Sequence, residues 1–322
     1  MSGELGRRTS SRTPNVEVVP WLLDGDPAVR WQAMRDLDGA STRAIAAERR
    51  RVGREGWGRA LLAKQDREGT WGGGLYTPKW TSTTYTMLLL RDLGLPSDDG
   101  NAKRACALLL DRGLQQDGGI QYGGRKGTSE TCITGMVLSI LGHFQYDDAR
   151  IDAIAEHLFQ QQMPDGGWNC RRPRGATHSS VNTTISVLEG LRLYERFGGK
   201  RSQAARAAQR RGREFLLAHR LFRSHRTGAV INPVFLRLSF PPRWHYDILR
   251  ALDYFQSAGA PRDERLSEAI GVLCTKRRDD GRWSLENDYR GKTYFNMERV
   301  GKPSRWNTLR ALRVLRWWQG RK

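Results

Sequence analysis

Few residues in this 322-residue chain are placed to do chemistry, and they gather where apolar helical stretches begin. Glu130-Thr131-Cys132 opens "ETCITGMVLSILGHF", and Trp244-His245-Tyr246-Asp247 opens "WHYDILRALDYF". A carboxylate, a thiolate and an imidazole form a set that zinc accepts, with a fourth position left for a nucleophile or a polarised oxygen. Glu130, Cys132 and His245 are that candidate zinc set. A second set would use Cys170 and His178. Asp247, His245 and Glu130 are the candidate catalytic groups, because a desolvated carboxyl has a raised pKa suited to acid catalysis. Each has a plainer reading beside it: Cys132 as a small core residue, His245 as a hydrogen-bonded imidazole, Asp247 in an ion pair with Arg250 or Arg243. Trp80, Tyr85, His178, Trp244, Tyr246 and Trp306 are candidate substrate-binding residues. Ring faces attract cations and shape apolar pockets, although core packing explains the same rings.

The elements that must position these residues recur along the chain. "KQDREGTW", "LQQDGGIQY", "QQMPDGGW" and "RRDDGRW" each end a helical stretch with an acidic residue and a glycine, and most then present an aromatic ring. Gly69, Gly118 and Gly166 are 49 and 48 residues apart, and Gly281 lies 115 beyond Gly166. A degraded copy, "SHRTGAVINPVF", carries Gly228 between them. Such a period marks a repeat architecture. In each unit the glycine stops an outer helix, a Trp clamps the turn, and Ser or Thr caps a more apolar inner helix. Upstream, Asp26-Pro27 starts "PAVRWQAMRDL" with a cap and a first-turn proline. The predicted fold is all-α: an α/α toroid of five to six helix hairpins, with an open HEAT-like solenoid as the alternative. Residues 1–15 read as a basic tail. Residues 16–322 read as one domain, in which 16–54 form a HEAT-like closing hairpin and 55–322 the repeat units.

Gln65 to Trp71, Gln162 to Trp168 and Arg278 to Trp283 resemble the Gln-x-x-Asp-Gly-x-Trp repeat of squalene and triterpene cyclases. Protein prenyltransferase β subunits carry related repeats. This resemblance covers about residues 55–320. It implies a toroid with a central cavity lined by inner-helix N-termini, and an isoprenoid or prenyl diphosphate as ligand. The Glu130-x-Cys132 pair with His245 is similar to the prenyltransferase zinc layout, with Glu in place of Asp. The resemblance also implies a second subunit as partner. The Asp-x-Asp-Asp acid motif of class II cyclases is absent from the sequence.

The charge sets the competing readings. Lys and Arg outnumber Asp and Glu by 54 to 34, for a net charge of +20. A polyanion partner would exploit this. Arginine also outnumbers lysine 45 to 9 along the whole chain, as GC-rich coding would produce. The alternatives to an isoprenoid enzyme are a non-catalytic binder of nucleic acid or an acidic partner, and an inactive structural relative. No apolar run reaches the length of a membrane span, and peripheral membrane contact remains open. The first residues lack the apolar core of an export signal. A cytoplasmic location is expected, with the four widely spaced cysteines as free thiols.

Overall fold

Asp26 and Ser41 cap helices as their sequence contexts predict: Asp26 accepts from the Ala28 N–H and Ser41 from the Ala44 N–H. The structure is a computed structural model that describes residues 18–123 and 128–320; the predicted tail 1–15 lies outside them. Helices dominate the described chain. The N-terminal region holds α1 (Val18–Leu23), α2 (Pro27–Ala33), α3 (Thr42–Arg51) and α4 (Gly56–Leu62), with a π-helical turn at Met34–Asp38. There follow α5 (Thr83–Leu93), α6 (Gly100–Gly113), α7 (Thr131–His143), α8 (Arg150–Gln160), α9 (Val181–Arg196) and α10 (Ser202–Ala218). The chain ends with α11 (Ile248–Ser257), α12 (Ser267–Thr275) and α13 (Arg305–Trp318). Two short antiparallel strands, β1 (Trp283–Ser284) and β2 (Pro303–Ser304), brace the last loop. Among the described residues no helix is long and apolar enough to cross a membrane.

The apolar stretches α5, α7, α9, α11 and α13 pack against one another in succession. α6, α8, α10 and α12, whose exposed faces are polar, lie against them. α7 and α9 approach most closely, because Gly135 and Gly190 lie between them. A methyl group on Gly135 would come within 2.8 Å of the Ser186 carbonyl oxygen. The last helix returns to the first ones. Arg313 on α13 donates to Gln32 Oε1 at 3.0 Å, and Arg316 donates to the Asp36 carbonyl at 2.7 Å.

The turn motif explains this order. Trp71, Trp168 and Trp283 are fully buried. Each indole N–H donates to the carbonyl ten residues earlier, on Leu61, Leu158 and Leu273, at 2.7, 2.7 and 2.8 Å. Each Trp backbone N–H donates to a threonine in the next apolar helix: Thr83, Thr184 and Thr308. Ile120 does the same to Thr134. Asp165 accepts from both the N–H and the hydroxyl of Ser179, at 2.8 and 2.5 Å, and Asp117 treats Ser129 alike. The motif glutamines reach the neighbouring hairpin. Gln65 donates to Asn101 and Gln162 to Ala208, both through main-chain oxygens. The glycine is required by geometry: Gly166 has φ +93°, and a Cβ there would meet the Arg211 carbonyl at 2.6 Å.

Trp168 is therefore expected to matter in two separable ways. Trp168→Ala opens a core cavity and costs about 3–5 kcal/mol. Trp168→Phe keeps most of the packing but strands the Leu158 carbonyl, costing about 1–3 kcal/mol. Urea unfolding of the three proteins checks the order; equal stability of wild type and Trp168→Phe would remove the indole bond from this account.

Candidate functional site

Because every apolar helix starts at a Gly-turn, their N-terminal ends face one side and their C-terminal ends the other. The two ends differ chemically.

The N-terminal end is aromatic. Trp80 lies just before α5 and is buried; its indole N–H donates to the Tyr289 and Arg290 carbonyls, both at 3.0 Å. Tyr85 meets Trp80 edge-on, with ring centres 4.8 Å apart, and its hydroxyl donates to Tyr76 at 2.9 Å. His245 is sandwiched between Trp244 at 3.8 Å and Tyr289 at 3.6 Å. Burial, reinforced by Arg250, Lys79 and Arg243, pushes its pKa down to about 4, so the ring is neutral at physiological pH. Lys79 and Arg243 flank Trp80 at 5.8 and 5.1 Å from its ring. Four predicted binding or catalytic residues, Trp80, Tyr85, Trp244 and His245, thus come together. Tyr76, Tyr289, Lys79 and Arg243 join them unforeseen. The space left beside Trp80 is about 30 Å³, roughly one water molecule.

The other predicted residues do different work. Asp247 is the N-cap of α11: its carboxylate accepts from the Arg250 N–H at 2.8 Å and from the Ser239 N–H and hydroxyl at 3.2 and 2.6 Å. Fully buried and used in this way, it is a turn anchor rather than a free acid. Tyr246 is a core residue, packed on Phe235 and donating to the Leu221 carbonyl. His178 is exposed in a loop, its carbonyl bonded by Asn169. Trp306, in the first turn of α13, stacks on Phe240 at 4.2 Å and lines a larger cavity.

Glu130 and Cys132 do not meet His245 as a ligand set. Among the described residues no three His, Cys, Asp or Glu side chains are grouped to hold a metal ion. The Cys132 thiol is half-buried at the start of α7, and the imidazole is stacked between rings. These residues do not fit zinc, and no step is derived through it.

A well of about 530 Å³ is lined by the C-terminal parts of α5, α7 and α9 together with residues from α2, α11 and α13, Arg250 and Trp306 at the starts of the last two among them. Eight arginines and four carboxylates line it among the described residues. All four carboxylates are paired. Glu189 takes Arg250 at 2.8 Å and Arg91 at 3.3 Å. Burial alone would raise its pKa, but these cations hold it at about 2. Asp253 takes Arg310 and Arg313, Asp36 takes Arg35 and Arg313, and Asp92 takes Arg91. Three arginines have no carboxylate. Arg49 donates to the Gly94 carbonyl and lies over Trp31. Arg196 lies 5.8 Å over Phe197. Arg192 makes one long bond, 3.4 Å, to the Ser257 carbonyl, and its buried Nε has no partner. Burial lowers the pKa of Arg49 and of Arg192 from the usual arginine value. Trp306 Nε1 is a second buried, unpartnered donor among the lining residues. His143 also lines the well. Its Nε2–H donates to the Leu95 carbonyl at 3.0 Å, and burial lowers its pKa to about 3.

The chain matches no protein-family model and no curated protein. Among solved structures it is similar to a protein from Actinoplanes, with a TM-score of 0.47 and 17% identity over 91% of this chain and 89% of that one. It is also similar to a type II terpene cyclase from Scytonema in complex with geranylgeranyl dihydroxybenzoate. There the TM-score is 0.33 and the identity 14%, over 84% of this chain and 96% of that one. Both scores lie below 0.5, so neither likeness carries an argument about activity.

The depressed pKa of His143 has a pH signature. The unfolded imidazole, near 6.5, takes up its proton before the folded one, near 3. Stability is therefore complete above about pH 6.5 and falls as pH drops from there toward 3. His143→Gln keeps a donor to the Leu95 carbonyl and removes the titration. Its stability should fall less between pH 7 and pH 5, by about 2 kcal/mol, in urea titrations at the two pH values.

Proposed function

We propose that the chain closes into a single α/α ring and binds a small phosphate-bearing molecule in the arginine-lined well, with a prenyl diphosphate as the ligand class. The contact of α13 with the α2 region supports closure, since an open solenoid keeps its first and last units apart. One observation carries the ligand: Arg192 sits in the well with a buried, unpartnered Nε and no carboxylate. A buried donor without an acceptor is costly. A phosphate oxygen would supply the missing acceptor, and the guanidinium fork suits phosphate geometry. The volume falls in the range of small-molecule sites.

A prenyl tail finds apolar surface in the same lining, from Phe240, Trp306 and the exposed Phe197. The aromatic end offers no comparable room. The geometry supports binding better than turnover, because Asp247 and Glu298, the buried acids near the aromatic end, cap helices. Glu298 accepts from the Ser304 hydroxyl and from the Arg305 and Trp306 N–H groups.

Calorimetric titration with inorganic pyrophosphate and with geranylgeranyl diphosphate tests this reading. Both should bind wild type, the prenyl compound more tightly. Arg192→Gln should weaken both by at least about tenfold, the loss of one charge-assisted contact. The variant should lose little stability, because the cation it removes makes one long bond, to the Ser257 carbonyl, and no carboxylate bond. Failure of both ligands to bind wild type at millimolar concentration would sink the proposal.

A further inference from the structure

His219 and His225 take no part in the aromatic end or the well, yet their ring nitrogens converge. His219 is the C-cap of α10, and His225 lies on the turn that follows. His225 Nδ1 is 3.0 Å from His219 Nε2, and the rings stand edge to face with centres 4.7 Å apart. The far nitrogen of His219 fixes the roles. Its Nδ1 lies 2.8 Å from the Phe215 carbonyl, which can only accept, so Nδ1 carries the proton. Burial lowers the His219 pKa from its usual value, so the ring is neutral at physiological pH and Nε2 holds a lone pair. His225 Nδ1–H donates to that lone pair.

Both histidines sit on held backbone. Leu221 and Phe222, between them, are buried. The Phe222 and Arg223 N–H groups donate to the His219 carbonyl at 3.0 and 2.6 Å. The turn carrying His225 is closed by Ser224 N–H to the Ala229 carbonyl and Gly228 N–H to the Ser224 carbonyl, both at 2.8 Å. The charges around the pair are manageable for a cation. Arg223 is paired with Glu268, Asp165 acts favourably on His219, and Arg220 and Arg226 are exposed, where solvent and salt screen them.

We infer that His219 and His225 are a chelating pair for a divalent copper ion, with water completing the coordination. The ion would replace the hydrogen the two rings now share, while the exposed His225 ring carries its proton on Nε2 instead. Nitrogens each about 2.1 Å from a metal are about 3.0 Å apart at a right angle and about 3.4 Å apart at the tetrahedral angle. The observed 3.0 Å thus suits the right-angled positions of tetragonal copper better than tetrahedral zinc. The Phe215 carbonyl already supplies the outer-shell acceptor that orients a metal-binding imidazole. The ion would tie the end of α10 to its own turn in the degraded fourth unit, which has no tryptophan to do so. This inference is independent of the arginine well.

The test uses the full chain without a histidine tag, titrated with copper(II) by calorimetry near neutral pH, with frozen samples taken for electron paramagnetic resonance. The expected result is about one copper per chain, a tetragonal spectrum with hyperfine structure from two nitrogens, and weaker binding of zinc. His225→Ala and His219→Ala should each lower copper affinity at least about tenfold, since even outer-shell changes cost that much. His178→Ala, which removes an exposed histidine outside the pair, should change nothing. His225 is exposed, so a melting temperature of metal-free His225→Ala equal to wild type shows that the variant folds. No saturation at millimolar copper, undiminished binding in His225→Ala, or zinc bound more tightly than copper would overturn the inference.

Discussion

The indole bond of the turn motif is the constraint on which the rest of the molecule depends. Trp168 joins three things at one buried point: the end of α8 through Leu158, the start of α9 through Thr184, and the turn itself. Trp71 and Trp283 repeat the arrangement. A buried indole N–H without an acceptor is costly, so the bond specifies where the outer helix may end. Asp165 and Ser179 then hold the loop, while Gln162 fixes the next outer helix. Each hairpin is thus set in register before its apolar face is considered.

That register gives the fold a polarity, and the polarity sorts the chemistry. Helix starts carry the aromatic residues, and helix ends carry the arginines. C-terminal ends expose carbonyls and a partial negative charge, which cations offset. Arg49 and Arg192 do this for the Gly94 and Ser257 carbonyls. Arginine suits the task because its fork can serve a carbonyl and a carboxylate together, as Arg250 does with His245 and Glu189. The composition reading of the basic charge explains how many arginines there are. It does not explain why eight of them line one well with only four carboxylates.

The helices and their caps were legible in the sequence because they rest on local patterns: a cap at Asp26, a glycine stop, a ring after it. Trp80, Tyr85, Trp244 and His245 were legible because helix starts share one end. The well was not, because its arginines come from helices far apart in sequence, as with Arg35 in the π-helical turn and Arg313 within α13, and no spacing links them. Asp247 shows the limit most clearly. An acid at a helix start reads equally as a cavity acid or a cap, and only Ser239 and the Arg250 N–H decide between them. Cys132 was read toward His245, but the two come from separate helices and are not grouped with a third ligand among the described residues, which no local spacing could tell.

Both ends hold cations without carboxylate bonds, so the choice of ligand site rests on how each end balances its charge. At the aromatic end, Arg243 is strained, with φ +59°, and buried, which lowers its pKa to about 10. Its charge is met from within: the face of Trp80 lies 5.1 Å away, and Asp288 acts on it electrostatically. The loop over this end is tied down, since Trp80 donates to the Lys292 carbonyl and Tyr294 to that of Thr81. Aromatic faces and a fastened loop leave this end room for about one water, and here too a buried guanidinium nitrogen, Arg243 Nε, has no acceptor. The well has neither device at Arg192. Its carboxylates bond other arginines, Glu189 acts on Arg192 only electrostatically, the volume is open, and a buried donor has no acceptor. An unpartnered guanidinium nitrogen occurs in both places, so it is the open volume of the well that favours an anion there over the aromatic residues to which the repeat motif had directed attention.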